Sequence, residues 1–443
     1  MKKFKLLLIV TIALCFALGL TSCSNDSGGD GGSGGLGGSY MGSDMAGAAE
    51  GGSSAPGSSS ESDAEAPSDE DASSKDDSSQ NVTKLAGLIT AAAWNDNDNY
   101  DLWKSLFDQN EENSAKFFSY QSDNSWGFSS YHRIKVTVSD SSGTVFGAKV
   151  ACSDSEGNSL CAAVTDRNGV AYLFTDVQEG SISVSSGEWS ASAAFSSEAR
   201  DVEITLESSV AALDIIDLMF VVDVTGSMGD ELDYLKNEIA DVVNKVALSN
   251  STARINLALL FYRDHGDSEV FKYYDFTNVT ESAGLAAQQA AISEQHASGG
   301  GDTPEAVDEA LEMAVSKQWS TGATTKIIFH VLDAPPHSGT ANRDKYNAAV
   351  DAAAEKGIRI CPIICSGADL LLEYLARSAA LYTGGTFVFI TDDSGIGNSH
   401  HDPELPNITV EALNSLMVRL INGYHTGTFA PPVYWKNDAA SQN

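Results

Sequence analysis

Asp217-Leu218-Met219-Phe220-Val221-Val222-Asp223-Val224-Thr225-Gly226-Ser227-Met228 is the stretch on which the fold turns. From Ile215 to Val222 the run is almost unbroken in its apolar character, as in a strand buried on both faces rather than one with a wet side. It stops on a carboxylate, two hydroxyls and a glycine, and helical spacing follows over Glu231 to Val246. A buried strand running into an oxygen-rich loop and a helix opens a doubly wound α/β unit. In such sheets ligands bind outside the carboxyl ends of the strands, where strand order reverses. Asp223, Thr225 and Ser227 fall there.

The same alternation continues downstream. Strands are expected at Ile255 to Tyr262, Lys326 to Leu332, Arg359 to Cys365 and Thr386 to Ile390, and helices at Glu305 to Val315, Asn342 to Ala354, Leu370 to Ala380 and Thr409 to Ile421. Continuous apolar strands alternating with helices predict a Rossmann-like, mostly parallel sheet covered on both faces, over residues 211–430.

Three oxygen-bearing side chains at alternate positions, Asp223, Thr225 and Ser227, can converge from one loop on a hard cation, which takes oxygen ligands. Asp302 and Thr303, within Gly299-Gly300-Gly301-Asp302-Thr303-Pro304-Glu305, and Asp333, after Ile327-Ile328-Phe329-His330-Val331-Leu332, add donors from two other mouths. Together they predict a nearly complete site for Mg²⁺, Mn²⁺ or Ca²⁺ with one position free. Helix capping competes for the same residues, since Ser227 has Asp230 three positions on and Thr303 precedes Pro304 and Glu305. Capping does not account for Asp223 and Asp333 ending two separate buried strands, where bare carboxylates repel each other. A metal resolves that repulsion. Asp264 and His265, closing another strand, read as structural, His330 as a core residue and His337 as part of the rim.

Asp223-Val224-Thr225-Gly226-Ser227 resembles the Asp-x-Ser/Thr-x-Ser element of the von Willebrand factor type A domain. Gly300-Gly301-Asp302-Thr303 and Asp333-Ala334-Pro335-Pro336-His337 stand where its second and third elements belong. Tyr262-Arg263-Asp264-His265 is similar to the hemicentin-like and alpha-kinase-associated subgroup, and the resemblance extends from Ile215 to Gly423. It implies a metal-ion-dependent adhesion site in which Thr225 and Ser227 ligate directly, the aspartates act directly or through water, and a partner's carboxylate fills the open position. Either Asp302 or Thr303 would take the place usual for a Thr ligand. An Asp302 ligand would add negative charge, tightening metal binding and weakening the attraction for an acidic partner.

Upstream, residues 131–209 change to period-two strands with glycine turns, as in Ile134-Lys135-Val136-Thr137-Val138 and Val170-Ala171-Tyr172-Leu173-Phe174, which predicts an all-β sandwich. Val138-Ser139-Asp140, Gly147-Ala148-Lys149-Val150 and Thr165-Asp166-Arg167-Asn168-Gly169 resemble carboxypeptidase-regulatory-like or immunoglobulin-like modules, which implies a spacer. Leu85, Leu88, Ile89, Trp94, Leu102, Trp103, Leu106 and Phe107 predict a small helical adaptor over residues 82–130. Residues 23–81 are mostly Gly, Ser, Asp and Glu; they can bury no core and are expected to form a disordered tether.

Residues 1–22 combine Lys2, Lys3 and Lys5 with an apolar run from Leu6 to Leu20, shorter than the roughly 20 residues a bilayer span takes, and so predict a signal peptide. The run ends in Leu20-Thr21-Ser22-Cys23, which resembles the bacterial lipobox. That resemblance implies a lipoprotein, lipidated at Cys23 and held on the extracytoplasmic side of the cell membrane or outer membrane. Cys152 and Cys161 flank the turn-like Ser155-Glu156-Gly157-Asn158 and are expected to be bridged in an oxidising compartment. Cys361 and Cys365, about 13 Å apart along one strand, read as buried core thiols.

A formal net charge of -35 over 443 residues argues against nucleic acid as a partner, since that binding depends on Lys and Arg neutralising phosphates. No Gly-x-Ser-x-Gly elbow surrounds Ser227 and His330 projects from a strand, so Ser227, His330 and Asp333 do not read as a hydrolytic triad. No enzyme activity is expected. The expected function is that of a membrane-anchored extracytoplasmic binding protein recognising a protein or matrix ligand through its divalent metal. The alternative is a structural envelope scaffold whose metal stabilises the fold.

Overall fold

The computed structural model describes residues 89–108, 116–120, 126–301, 303–394, 403 and 405–437. The expected signal peptide, Cys23, the tether and Asp302 lie outside the described residues.

In chain order, strand β1 (Thr90–Trp94) and helix α1 (Tyr100–Ser105) come first. Eight strands follow: β2 (Arg133–Asp140), β3 (Gly143–Thr144), β4 (Lys149–Asp154), β5 (Ser159–Val164), β6 (Val170–Phe174), β7 (Glu179–Ser186), β8 (Trp189–Ser196) and β9 (Asp201–Thr205). Then come β10 (Ile215–Asp223), α2 (Gly229–Ser249), β11 (Arg254–Tyr262), β12 (Phe271–Asn278), α3 (Ser282–Ser293), α4 (Val307–Ser316), β13 (Thr325–Leu332), α5 (Thr340–Lys356), β14 (Ile358–Ile364), α6 (Leu370–Thr383), β15 (Phe387–Ile390), β16 (Glu411–Ala412) and α7 (Leu413–Thr426).

The main sheet has eight strands in the order β12-β11-β10-β13-β14-β15-β1-β16. Strands β11, β10, β13, β14 and β15 run parallel, with antiparallel β12 on one side and antiparallel β1 and β16 on the other. The period of two divides β10 cleanly. Met219 and Val221 enter the core beneath α4, α5 and α6, while Leu218, Phe220 and Val222 enter the core beneath α2 and α7. Both faces are covered, which is why the parallel strands are apolar throughout. The architecture is a Rossmann-like, mostly parallel α/β sheet, and its strand order reverses at β10, between β11 and β13.

The sequence expectation for residues 82–130 needs correction. Instead of a small helical adaptor, the segment supplies β1, which pairs with β15 through Ala91, Ala92, Ala93 and Trp94. Alanine favours helices in isolation. Here an open sheet edge offers backbone partners that outweigh that preference. Among the described residues up to 130, β1 is followed by the six-residue α1 and a single short turn of helix. Trp103, Phe107 and Phe117 then pack around Tyr374 of α6.

Strands β2 to β9 form two four-stranded sheets, β3-β2-β6 with β9 beside β2, and β5-β4-β7-β8. Their inner residues, including Ile134, Val136, Val150, Leu173, Ile182 and Ile204, share one core. The β2–β9 pair is parallel, whereas the other pairs are antiparallel. Cys152 and Cys161 stand opposite each other across β4 and β5, as free thiols in this structure. Cys361 and Cys365 are buried.

Candidate metal centre

Asp223 is the last residue of β10, at the point where strand order reverses, and it is fully buried. Thr225 donates to Asp223 Oδ1 from its backbone N–H (2.8 Å) and from its hydroxyl (2.7 Å), and its Oγ1 lies 3.4 Å from Ser227 Oγ. Ser227 in turn bonds Asp333, which follows the end of β13. Four of the sequence-derived candidates, Asp223, Thr225, Ser227 and Asp333, therefore meet at one crevice. Thr303 is exposed on the neighbouring loop, with no bond to the other four among the described residues. Asp302 is outside the described residues.

The hydroxyls are not helix caps. Helix α2 takes Met228 and α4 takes Ala306 as N-cap, neither with a side-chain cap bond, so the capping reading of Ser227 and Thr303 does not hold. The loops are instead sewn together by backbone. Ser298 N–H donates to Val224 O (3.0 Å), Gly226 N–H to Gly299 O (3.2 Å) and Glu305 N–H to Pro335 O (3.1 Å). Arg263 adds a staple, donating to Ser298 O, His296 O and Glu269 O at 2.9–3.1 Å. Gly300 has φ +68, and a Cβ there would come within 2.9 Å of both Glu305 Oε1 and Thr225 Cβ. Glycine is needed at that crossing because it alone tolerates both the backbone and the crowding.

Two carboxylates at the crevice lie outside the residues singled out in the sequence. Glu305 is buried beside Gly300 and Thr225 rather than exposed at a helix start. Glu231, in the first turn of α2, is also buried, and its Oε1 accepts from the Ser366 hydroxyl at 2.8 Å. Glu305 lies in the oxygen-rich loop already quoted. The signal that would have picked it out is its short separation from Thr303, masked by the expectation that the helix begins there.

The electrostatics follow from this crowding. Burial, and then the charge of Asp333, push the Asp223 carboxyl up to about 7. Burial, and then Asp223, Asp264 and Asp333, push Glu305 up to about 9. Asp333 is raised by burial and by Glu231, with the Ser227 bond opposing. One oxygen of each carboxylate, Asp223 Oδ2, Asp333 Oδ1, Glu305 Oε2 and Glu231 Oε2, is buried without a hydrogen-bond partner among the described residues. Beneath them Tyr262 Oη lies 3.2 Å from His330 Nε2. Burial lowers His330 to about 3, so it is a neutral core residue. Uncompensated carboxylate oxygens in a dry site are costly unless a proton or a cation takes them. Carboxylate and hydroxyl oxygens are the donors a hard divalent ion prefers, so the residues fit such an ion.

A parallel sheet that reverses at an Asp-x-Thr-x-Ser loop belongs to the doubly wound α/β class, whose ligands sit at the switch point of strand order. Residues 217–377 match the family model of the von Willebrand factor A domain. The alpha-protein kinase vwkA of Dictyostelium discoideum is 28% identical over 182 residues, 40% of this chain and 27% of that protein. The chain thus spans about a quarter of that relative's length. Among solved structures, the open conformation of the pilus adhesin SpaC from Lactobacillus rhamnosus GG overlaps 56% of this chain and 32% of its own, at 10% identity and TM-score 0.35. BatB from Bacteroides thetaiotaomicron overlaps 51% of this chain and 94% of its own, at 19% identity and TM-score 0.25.

Proposed function

We propose that this protein is a metal-dependent binding module without catalytic activity. Asp223, Thr225, Ser227 and Asp333 hold a Mg²⁺ ion, or Mn²⁺ or Ca²⁺ in its place. The loop carrying Asp302 and Thr303 completes the site. Glu305 and Glu231 lie close behind and add negative charge that favours the ion. The single observation that carries this reading is the gathering of unpartnered, buried carboxylate oxygens at the switch point of the sheet. What the ion supplies when bound is an electrophilic position at the surface, open to a carboxylate oxygen of a protein or matrix ligand.

Ser227, Gly301 and Thr303 are exposed around the crevice, as a surface that meets a partner requires. The chain's acidity means that a partner carboxylate approaches against a repulsive field, so recognition depends on the ion. We further propose that lipid at Cys23 anchors the protein on the extracytoplasmic side of a membrane. Cys23→Ser should move it into the soluble fraction, and its persistence on membranes would argue against that anchor.

Capture of surface extracts on the immobilised protein tests the binding function. Partners are expected with Mg²⁺ present and absent with EDTA or with Asp223→Ala. Capture unaffected by chelator contradicts metal-dependent recognition. Metal-dependent stabilisation with no metal-dependent partner favours the envelope scaffold instead.

A further inference from the structure

Strands β11 and β13 flank β10, and each ends in a loop that carries imidazole. Asp264 and His265 follow Tyr262 at the end of β11, and His337 lies four residues beyond Asp333. These loops meet across the crevice. His337 Nε2 is 2.8 Å from Asp264 Oδ1, and the rings of His265 and His337 are 5.3 Å apart. One ligand atom from each of the three residues lies within 4.8 Å of the others. None of the three belongs to the oxygen set assigned above to the hard cation.

The arrangement is supported from behind. Asp264 is buried, and its carbonyl accepts from Asp267 N–H (3.3 Å) in a turn whose Gly266 has φ +98. The Asp267 carboxylate in turn accepts from Gly300 N–H (3.1 Å), tying the turn to the glycine loop. His337 follows Pro335 and Pro336, whose rings restrict the backbone, and Glu305 bridges to Pro336 from the other side. Ligand atoms around a tetrahedral zinc stand roughly 3.4 Å apart, for bonds of about 2.0–2.1 Å. Small side-chain rotations reach that geometry, and His265 is exposed and can swing.

We infer that Asp264, His265 and His337 form a second metal site, suited to a borderline first-row ion such as Zn²⁺, with at least one coordination position left open. Two imidazoles and one carboxylate select against Mg²⁺, which prefers oxygen alone, and toward zinc and its neighbours. Three protein ligands leave a place for water or for a partner's donor atom. Two neutral rings and one carboxylate around a divalent ion carry a net positive charge. The surroundings hold a further carboxyl group, since Glu305 is buried and bridges to Pro336, the residue before His337. The site does not depend on the hard-cation reading, and the two fail separately.

The test is zinc titration of the metal-stripped full chain, followed by Co²⁺ as a spectroscopic substitute. His265→Ala removes an exposed ring and leaves the fold in place, and His337→Ala is the second variant. Each should weaken zinc by more than the roughly 10–100-fold that loss of a supporting partner costs. Each should also abolish the visible bands of four-coordinate Co²⁺ and leave Mg²⁺ binding unchanged. Asp223→Asn should do the reverse. Zinc affinity unchanged in His265→Ala and His337→Ala, zinc lost only with Asp223→Asn, or no zinc uptake by the wild-type chain would each overturn the inference.

Discussion

Asp217 and Asp223 stand at opposite ends of one buried strand and differ in what surrounds them. Asp217 accepts from Asn256 Nδ2 (2.7 Å), Ser320 N–H (2.6 Å) and the Ser320 hydroxyl (3.0 Å), so both its oxygens are satisfied. Among the described residues Asp223 has Thr225 on Oδ1 and no partner on Oδ2. The difference has a consequence in pH. Asp223 is raised from 3.8 to about 7 and Glu305 from 4.5 to about 9, so the metal-free fold keeps protons that the unfolded chain releases. Stability from these groups is full below 3.8 and 4.5 and is lost as pH rises through about 7 and about 9. The melting temperature of metal-stripped protein should fall over that window, and saturating Mg²⁺ should remove the fall, since the ion binds the deprotonated carboxylates. A metal-free melting temperature that is flat or rising there would contradict this account of the crevice.

At the scale of elements, β1 is held by a buried charge network as well as by its ladder. Arg377 of α6 donates to both oxygens of Asp96 (3.0 and 2.6 Å) and to Glu373 Oε1 (2.9 Å), while Trp94 Nε1 donates to Asp96 Oδ1 (3.0 Å). Arg377→Ala would leave two buried carboxylates short of their partner, at a cost of about 3–5 kcal/mol. Urea unfolding should show that loss with the slope unchanged, and a loss below about 1 kcal/mol would mean that the network is solvated.

The same element marks the limit of what the sequence discloses. Strands β10, β11, β13, β14 and β15 were legible because crossovers bury both their faces and make them continuously apolar. Strand β1 was not, because its partner β15 lies some 300 residues away and Thr-Ala-Ala-Ala-Trp carries no period of two. Strand β12 and helix α3 also escaped notice, the strand being an edge whose residues are only partly buried. Asp223, Thr225, Ser227 and Asp333 were readable from their places at strand ends. Glu305 and Glu231 were not, since only the packed loops reveal that their carboxylates turn inward.

At the scale of the molecule, an acidic chain gathers several carboxylates at one mouth of an eight-stranded sheet and leaves part of their oxygen complement unsatisfied. The two-sheet module beside it contributes no residue to that mouth. Its contacts with the α/β unit include Phe174, whose ring stacks on Tyr382 of α6 at 4.6 Å, and Asn168, whose Nδ2 donates to Gly427 O at 3.2 Å. Calorimetric titration of Mg²⁺ and Mn²⁺ into metal-stripped wild-type, Asp223→Ala and Asp333→Ala protein tests the central claim most directly. The wild type should bind and both variants should not, with circular dichroism unchanged. Equal affinity in all three proteins would show that these carboxylates do not share an ion.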